Sequence, residues 1–367
     1  MWLCLYLFKV PLTNISIKHL RCFDRVEISL SPGINFFHGP NGSGKTSLLE
    51  ALFIFSSGKS FKSSNLQSLI KYDKKNFYLK GYDGSSGHII EVEKHINKPV
   101  SLKLNNQKIV SSKLIKKFPC TPIHNNTFSF TIAPPDFRRK MLDRSIFIAE
   151  ENFSSIWFAY HRTLKQRNVM LKNNLKSDIY VWDKKLAVDG ELITEYRKNF
   201  FDKVLIEFKN LLNILEPNSS FDFFDLISID FFCGWNSNDS LLYKFEENLQ
   251  YDLKRKTTTE GPHKSDIKFF IKNIDARQIL SRGEQKFFSI LWSFAQNEVL
   301  KKHYKIEATL IIDDLKSELD ERVFDLFVEL LKHNENQVIF SCIEDCFSSK
   351  ISNEFSEFKK FHVEQLG

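Results

Sequence analysis

A glycine-rich run at residues 39–46, Gly-Pro-Asn-Gly-Ser-Gly-Lys-Thr, has the residue types and the spacing that hold nucleotide phosphates. Glycines let successive backbone N–H groups turn toward the β-phosphate, and the helix predicted next, "SLLEALFIF", would direct its positive end to the same place. Lys45 would neutralise the β- and γ-phosphates of ATP, and the Thr46 hydroxyl would bind Mg²⁺. The predicted ATP-binding residues are Gly39, Pro40, Asn41, Gly42, Ser43, Gly44, Lys45 and Thr46.

Two carboxylates follow an apolar stretch near the other end of the chain. Leu310-Ile-Ile is followed directly by Asp313 and Asp314. If this stretch is a strand parallel to the one before the glycine-rich run, Asp313 lies beside the Mg²⁺ site and Asp314 is within reach of an attacking water. We therefore predict Asp313 as a metal ligand and Asp314 as the catalytic base. A buried strand that ends in an ordinary acidic turn is the alternative.

The stretch "LSRGEQKFFSILWSFAQ", which begins at Leu280, predicts a second helix N-terminus able to bind an anion. It is similar to the signature motif of the ABC and SMC ATPase superfamily, in which the motif of one subunit covers the γ-phosphate held by another. The resemblance implies that Ser281, Arg282 and Gly283 contact ATP bound to a partner chain. "SELD" at 317–320 resembles the loop that completes that interface. The alternative is a plain serine N-cap with Glu284 three residues later.

The elements that must position these residues alternate along the chain. Strand-like alternation dominates the first third, with a hairpin predicted over "LTNISIKHLRCF" and "RVEISL". Helical periodicity begins near residue 134, and strand and helix alternation resumes after about 260. We predict an α/β fold, an ABC/SMC-type P-loop ATPase head with an inserted helical second lobe. The predicted boundaries are 1–11 for an N-terminal extension, 12–133 and 259–367 for the head, and 134–258 for the helical lobe.

Composition excludes several classes of protein. The 367 residues are 42% hydrophobic and 26% charged with a net charge of +7, which fits a soluble globular protein and is compatible with a polyanionic partner. The six cysteines form no disulfide-type framework, and only Cys342 and Cys346 are close, with no second pair to complete a zinc site. "MWLCLYLFKVPL" is interrupted at Lys9, and no 18-residue apolar stretch occurs, so we expect a cytoplasmic protein without membrane contact.

Taken together, the motifs resemble those of the RecF family from about residue 12 to about 345. The stretches that carry the resemblance are "PGINFFHGPNGSGKTSLLEAL", "GKSFK", "FRRKMLDRSIF", "LKQRN", "VWDKKLAVDG", "GPHKSDI", "LSRGEQK" and "IIDDLKSELD". The resemblance implies an ATP-dependent DNA-binding protein of DNA replication and recombinational repair. Such a protein forms an ATP-sandwiched homodimer, clamps gapped DNA near single-/double-strand junctions and helps to load recombinase with RecR and RecO partners. It also implies slow, DNA-stimulated ATP hydrolysis that acts as a switch.

Departures from the family pattern leave alternatives open. Thr121-Pro-Ile-His124 stands where the family usually has an acidic pair, and Lys264 stands where it typically has arginine. His263 is expected to order the loop near the nucleotide. An ABC-type ATPase of a defence or transport system and a non-hydrolysing ATP-binding module are the rival functions. A run of basic residues could contact DNA phosphates or form a solvated face: Arg138, Arg139, Lys140, His161, Arg162, Lys165 and Arg167.

Overall fold

The computed structural model describes residues 12–84, 87–124, 130–131, 133–175, 178–215, 226–314, 321–343, 355 and 357–366. These residues form two compact units. The first unit contains the described residues before 130 and after 280, and the second contains those from 130 to 280. The predicted extension at 1–11 lies outside the described residues. Among the described residues no helix has the length and apolar character needed to cross a membrane.

Strands and helices are numbered in chain order. The strands are β1 (Asn14–Leu20), β2 (Phe23–Ser29), β3 (Ile34–His38), β4 (Asn76–Tyr82), β5 (Ile89–His95), β6 (Ser101–Leu104), β7 (Gln107–Lys108), β8 (Cys120–Ile123), β9 (Ile227–Phe232), β10 (Asp266–Ile271), β11 (Ile274–Asp275), β12 (Thr309–Ile312), β13 (Val338–Cys342) and β14 (Phe358–His362). The helices are α1 (Lys45–Ser57), α2 (Ser111–Lys117), α3 (Pro135–Ala149), α4 (Phe153–Lys172), α5 (Ile179–Leu215), α6 (Leu241–Glu247), α7 (Leu249–Arg255), α8 (Ala276–Ile279), α9 (Arg282–Tyr304) and α10 (Glu321–Lys332).

A five-stranded parallel sheet is the centre of the first unit. Its strand order is β14-β3-β13-β12-β8. Strands β3, β12 and β13 are buried along their whole length, as expected for a parallel sheet covered on both faces. Because parallel strands end at one edge of a sheet, the loop after β3 and the loop after β12 meet there. This edge brings together the glycine-rich run and the acidic pair.

A six-stranded antiparallel sheet, in the order β2-β1-β4-β5-β6-β7, forms the rest of the β-structure among the described residues of this unit. The predicted hairpin is present, with Ile17 opposite Val26. Alternate residues of these strands, such as Phe77 and Leu79, are buried in one apolar cluster with Leu52 of α1. The alternation of apolar and polar residues therefore fixes which face of the sheet packs against the helix that follows the glycine-rich run.

The second unit is built on three long helices, α3, α4 and α5, with a three-stranded antiparallel sheet in the order β11-β10-β9. Buried ion pairs hold it together. The Arg167 side chain is 0% exposed and donates to Asp183 and Asp252, each at 2.5 Å. Since both carboxylates come from distant positions, this arginine joins α4 to α5 and α7. Arg138 likewise pairs with Asp266, with 2.7 Å between its Nε and the carboxylate oxygen.

Candidate nucleotide-binding site

The glycine-rich run forms the turn between β3 and α1. Gly42 has φ 85° and Gly44 has φ 104°, both in the left-handed region that favours glycine. A Cβ at Gly42 would meet no atom within 4 Å, so this part of the loop opens onto free space. A Cβ at Gly44 would lie 2.6 Å from Cζ of Phe23. The loop therefore packs against the β1–β2 hairpin on one side and leaves the other side open.

Lys45 is bonded to its own loop. Its Nζ donates to the carbonyl oxygen of Gly39 at 2.6 Å and to that of Pro40 at 2.8 Å. Burial lowers the pKa of Lys45, and the nearby carboxylates of Asp314 and Asp313 oppose that shift. The ammonium group is thus held beside the turn, where it can exchange carbonyl oxygens for phosphate oxygens.

Asp313 is joined to Thr46 across the sheet edge. The Thr46 hydroxyl donates to Asp313, with 2.9 Å between Oγ1 and Oδ2, and the Ser341 hydroxyl donates to Oδ1 of the same carboxylate at 2.9 Å. Burial raises the pKa of Asp313, whereas the hydrogen bonds from Ser341 and Thr46 lower it. A hydroxyl and a carboxylate in contact are the hard oxygen ligands that Mg²⁺ prefers. The donor set fits a Mg²⁺ ion bound with nucleotide phosphates.

Asp314 adopts a backbone conformation that is uncommon for a residue with a side chain. Its φ is 51°, and its N–H donates to the Ser341 hydroxyl at 3.0 Å. Such left-handed residues are enriched at functional sites because the surrounding structure must hold them. Asp314 lies, with Asp313, on a cavity of about 390 Å³. The residues that line it are Arg21, Cys22, Asn41, Gly42, Gly44, Lys45, Thr46, Ser47, Lys62, Asp313 and Asp314.

Four of these lining residues were not predicted as site residues from the sequence: Arg21, Cys22, Ser47 and Lys62. Arg21 forms an ion pair with Glu50 of α1, with 2.6 Å between Nη2 and Oε2, and the Glu50 side chain is 0% exposed. The Ser60 hydroxyl also donates to Glu50. Burial raises the pKa of Glu50, and the hydrogen bond from Ser60 lowers it. The signal was present in the sequence as one acidic residue inside the apolar helix "SLLEALFIF".

Ser281, Arg282 and Gly283 lie at the start of α9. The Ser281 hydroxyl accepts from the N–H of Glu284 at 3.3 Å, and the Glu284 carboxylate accepts from the N–H of Ser281 at 2.7 Å. Ser281 and Arg282 are exposed, and none of the three is among the described residues that line the cavity of their own chain. The capping box is present, as both the signature motif and the plain serine N-cap require. The "SELD" stretch at 317–320 lies outside the described residues.

The segment that departs from the family pattern is partly described. Thr121 lies in β8 and its hydroxyl contacts Oδ1 of Asn297 at 2.9 Å. The ring of His124 stacks on Phe61, with 4.9 Å between ring centroids, and burial lowers the pKa of His124 to about 4. His124 is therefore neutral near pH 7. Residues 125–129 and 132 lie outside the description.

Within the second unit, two of the candidate DNA-contacting residues are buried and paired. Arg138 and Arg167 are 6% and 0% exposed, so neither presents its charge to solvent. The ring of His263 contacts the Tyr160 hydroxyl at 2.7 Å and the carbonyl oxygen of Thr258 at 3.0 Å. Since a carbonyl only accepts, Nε2 of His263 donates there and Nδ1 accepts from Tyr160. Burial lowers the pKa of His263 to about 4.

Comparison with known proteins assigns this fold and site to a family. Residues 11–362 match the model for the RecF/RecN/SMC N terminal domain. The DNA replication and repair protein RecF of Pseudoalteromonas translucida is 31% identical over 96% of this chain and 98% of its own length. The protein of the same name from Coxiella burnetii (strain Dugway 5J108-111) is 33% identical over 90% of this chain and 92% of its own length. The chain belongs to the RecF family.

Solved structures of the RecF family have the same fold. A structure described as the recombination mediator protein RecF-ATP in the RecFOR pathway superposes with a TM-score of 0.78, at 24% identity, over 97% of both chains. An Smc head bound to the C-winged helix domain of ScpA gives a TM-score of 0.56 at 15% identity, over 94% of this chain and 92% of that one. The ABC/SMC-type α/β head predicted from the motifs is confirmed.

Proposed function

We propose that this member of the RecF family is an ATP-dependent DNA-binding protein of DNA replication and recombinational repair. One observation carries the proposal: the Thr46 hydroxyl touches the Asp313 carboxylate beside the glycine-rich turn, at 2.9 Å. Two sequence stretches 267 residues apart thereby form one set of ligands for a nucleotide and its metal ion. The names of the relatives, DNA replication and repair protein RecF, supply the process in which this site would act.

Each residue of the site then has a stated role. The turn from Gly39 to Gly44 wraps the phosphates, and Lys45 leaves its two carbonyl partners to bind them. Thr46 and Asp313 hold Mg²⁺, and Asp314 accepts the proton of an attacking water. When bound, ATP would supply the γ-phosphate and Mg²⁺ would neutralise part of its negative charge, and the presence or loss of that phosphate would set the state of the protein. Slow turnover suits a switch better than a motor.

The proposed active form is a homodimer that encloses ATP. Ser281 and Arg282 are exposed on their own chain and Gly283 lies with them at the N-terminus of a 23-residue helix, a position suited to bind the γ-phosphate held by a second copy. Closing two copies would also bring two basic chains together, each with a net charge of +7. We propose that the closed dimer clamps gapped DNA near single-/double-strand junctions and acts with RecR and RecO to load recombinase.

The test is DNA affinity measured with and without nucleotide. A gapped duplex carrying a fluorophore would be titrated with the chain at one fixed salt concentration, with no nucleotide or with a slowly hydrolysed ATP analogue. We expect tighter binding with the analogue, an affinity that falls with salt at a slope reporting several phosphate contacts, and loss of the nucleotide effect in Lys45→Ala. Equal affinity with and without the analogue would refute the clamp. ATP turnover with and without gapped DNA separates a switch from a non-hydrolysing module.

A further inference from the structure

Two turns at one end of the antiparallel sheet concentrate positive charge. Residues 71–75 read Lys-Tyr-Asp-Lys-Lys before β4, and residues 94–98 read Lys-His-Ile-Asn-Lys at the end of β5. They hold five lysines and one aspartate. The two turns lie side by side, because the N–H of Ile96 donates to the carbonyl oxygen of Lys75 at 3.0 Å. We call these ten residues the lysine end of the sheet.

Most of this charge is available to a partner. Lys71 pairs with Asp24 at 2.5 Å, and His95 contacts Glu93 at 2.9 Å. Lys74, Lys75 and Lys98 are exposed, and within the described part of the chain none has a carboxylate within 4 Å. Exposed lysines in adjacent turns do not stabilise the fold, since like charges side by side repel one another. A polyanion would relieve the repulsion.

Tyr72 lies in the first of these two turns. It is 88% exposed, the largest fraction among the large hydrophobic side chains that the structure shows at the surface. The turn that carries it is closed by the N–H of Lys74, which donates to the carbonyl oxygen of Lys71 at 3.1 Å, and Asp73 has φ 65°. The turn therefore fixes the backbone of Tyr72, while both faces of its ring stay open to solvent.

An exposed aromatic ring that shares its turn with two unpaired lysines, Lys74 and Lys75, has the chemistry of a single-strand contact. Bases stack on aromatic side chains only when they are not paired in a duplex, and lysines track the phosphates on either side. We propose that the lysine end binds single-stranded DNA, with Tyr72 stacking on one base. The phosphates of a duplex can pair with the lysines, but its paired bases cannot stack on the Tyr72 ring. An acidic protein segment could pair with the lysines but has no base to stack on that ring.

The lysine end is connected to the nucleotide cavity by backbone contacts. The N–H of Lys71 donates to the carbonyl oxygen of His19 at 2.9 Å, and the N–H of Arg21 donates to that of Leu69 at 2.8 Å. Arg21 and Cys22 line the cavity. The proposed single-stranded DNA contact and the nucleotide cavity therefore both adjoin the β1–β2 turn. The proposed contact rests on the ATP-dependent DNA binding proposed above and adds a site for the single strand.

The experiment compares variants on two DNA substrates. A fluorescent 20-nucleotide oligothymidylate and a blunt 20-base-pair duplex would be titrated at one salt concentration with the ATP analogue present. Tyr72→Ala should weaken oligothymidylate binding by about 5-fold to about 150-fold, the range for loss of one stacked base, and leave duplex binding near that of the parent. Tyr72→Phe should bind like the parent. Tyr82→Ala is the matched control, because Tyr82 is 42% exposed at the end of β4, whereas Tyr72 lies in the turn before β4 begins.

A charge variant completes the test. Lys74→Glu with Lys75→Glu should weaken binding of both substrates and flatten the salt slope, whereas Lys184→Glu with Lys185→Glu on α5, at the same net charge, should change binding less. If Tyr72→Ala binds oligothymidylate like the parent, or weakens both substrates equally, the stacking contact is refuted. If the parent binds DNA equally well with and without the analogue, the ATP dependence of the proposed function is refuted, and the comparison of Tyr72→Ala on the two substrates still decides whether Tyr72 stacks on a base.

Discussion

The ion pair between Arg21 and Glu50 makes a prediction that needs neither nucleotide nor DNA. Glu50 is fully buried on α1, and Arg21 of the β1–β2 turn, whose side chain is 31% exposed, is its charged partner. In Arg21→Ala the buried Glu50 carboxylate keeps its hydrogen bond from the Ser60 hydroxyl and loses its ion pair with Arg21. Removing one partner of a buried pair costs about 3 to 5 kcal/mol, and we expect about 2 to 3 kcal/mol here because Arg21 is partly solvated.

Hydrogen exchange of peptides from α1 measures this loss where it occurs. A cost of about 2 to 3 kcal/mol corresponds to a loss of protection of about 30-fold to about 140-fold, at about 1.4 kcal/mol for each factor of ten. Peptides from α5, in the second unit, serve as the internal reference. A second change, Glu50→Gln, should restore part of the protection when it is added to Arg21→Ala, because the neutral amide still accepts from Ser60 and needs no cation.

The same pair gives a pH dependence with a definite sign. Burial raises the pKa of Glu50 above its ordinary value, and Arg21 opposes that shift, so Arg21→Ala raises the pKa further. A carboxyl group whose pKa is higher in the folded state than in the unfolded state destabilises the fold when it is ionised. That loss of stability grows as pH rises through the folded pKa. The deficit of Arg21→Ala should therefore shrink as pH falls from 8 to 5. Protection equal to that of the parent at pH 8, or no restoration by Glu50→Gln, would refute the reasoning.

Two further predictions concern the glycine-rich turn and a buried histidine. Gly44→Ala meets the Phe23 ring at 2.6 Å and should lower the unfolding temperature and abolish binding of a fluorescent ATP analogue, whereas Gly42→Ala, with open space, should cost only about 1 kcal/mol of strain. His263 has a pKa of about 4 in the folded state and ordinarily 6.5. As pH falls from 6.5 to 4, the unfolded state takes up the proton first, so the protein should lose about 3 kcal/mol of stability. In His263→Gln the unfolding temperature should therefore vary less with pH over that range.

Local pattern predicted the parts of the site that are contiguous in sequence. The spacing of Gly39 to Thr46 specifies a turn between a strand and a helix, and the structure has β3 and α1 on either side. Alternation of apolar and polar residues predicted the β1–β2 hairpin, and a continuous apolar run predicted the strand before Asp313. These features depend on neighbours within a few residues, which is the range that periodicity and turn chemistry report.

Features that depend on distant partners were not predictable from pattern. Arg138 pairs with Asp266, 128 positions away, so a residue that reads as a basic surface group is an interior one. Arg21 reaches the nucleotide cavity only because the β1–β2 turn folds over α1. Helical periodicity over residues 134–258 gave no sign of β9, whose partner β10 begins at Asp266. Strand pairing and charge burial are settled by tertiary contacts, which no local window contains.

The central claim is that ATP closes two chains on each other, and sedimentation velocity with a slowly hydrolysed ATP analogue tests it most directly. We expect the parent to sediment as a dimer with the analogue and as a monomer without it. Ser281→Arg should bind the analogue yet remain a monomer, because the bulky cation stands where the γ-phosphate of a second chain must dock. Ser281→Arg that still dimerises fully, or that loses nucleotide binding as a monomer, would contradict the account.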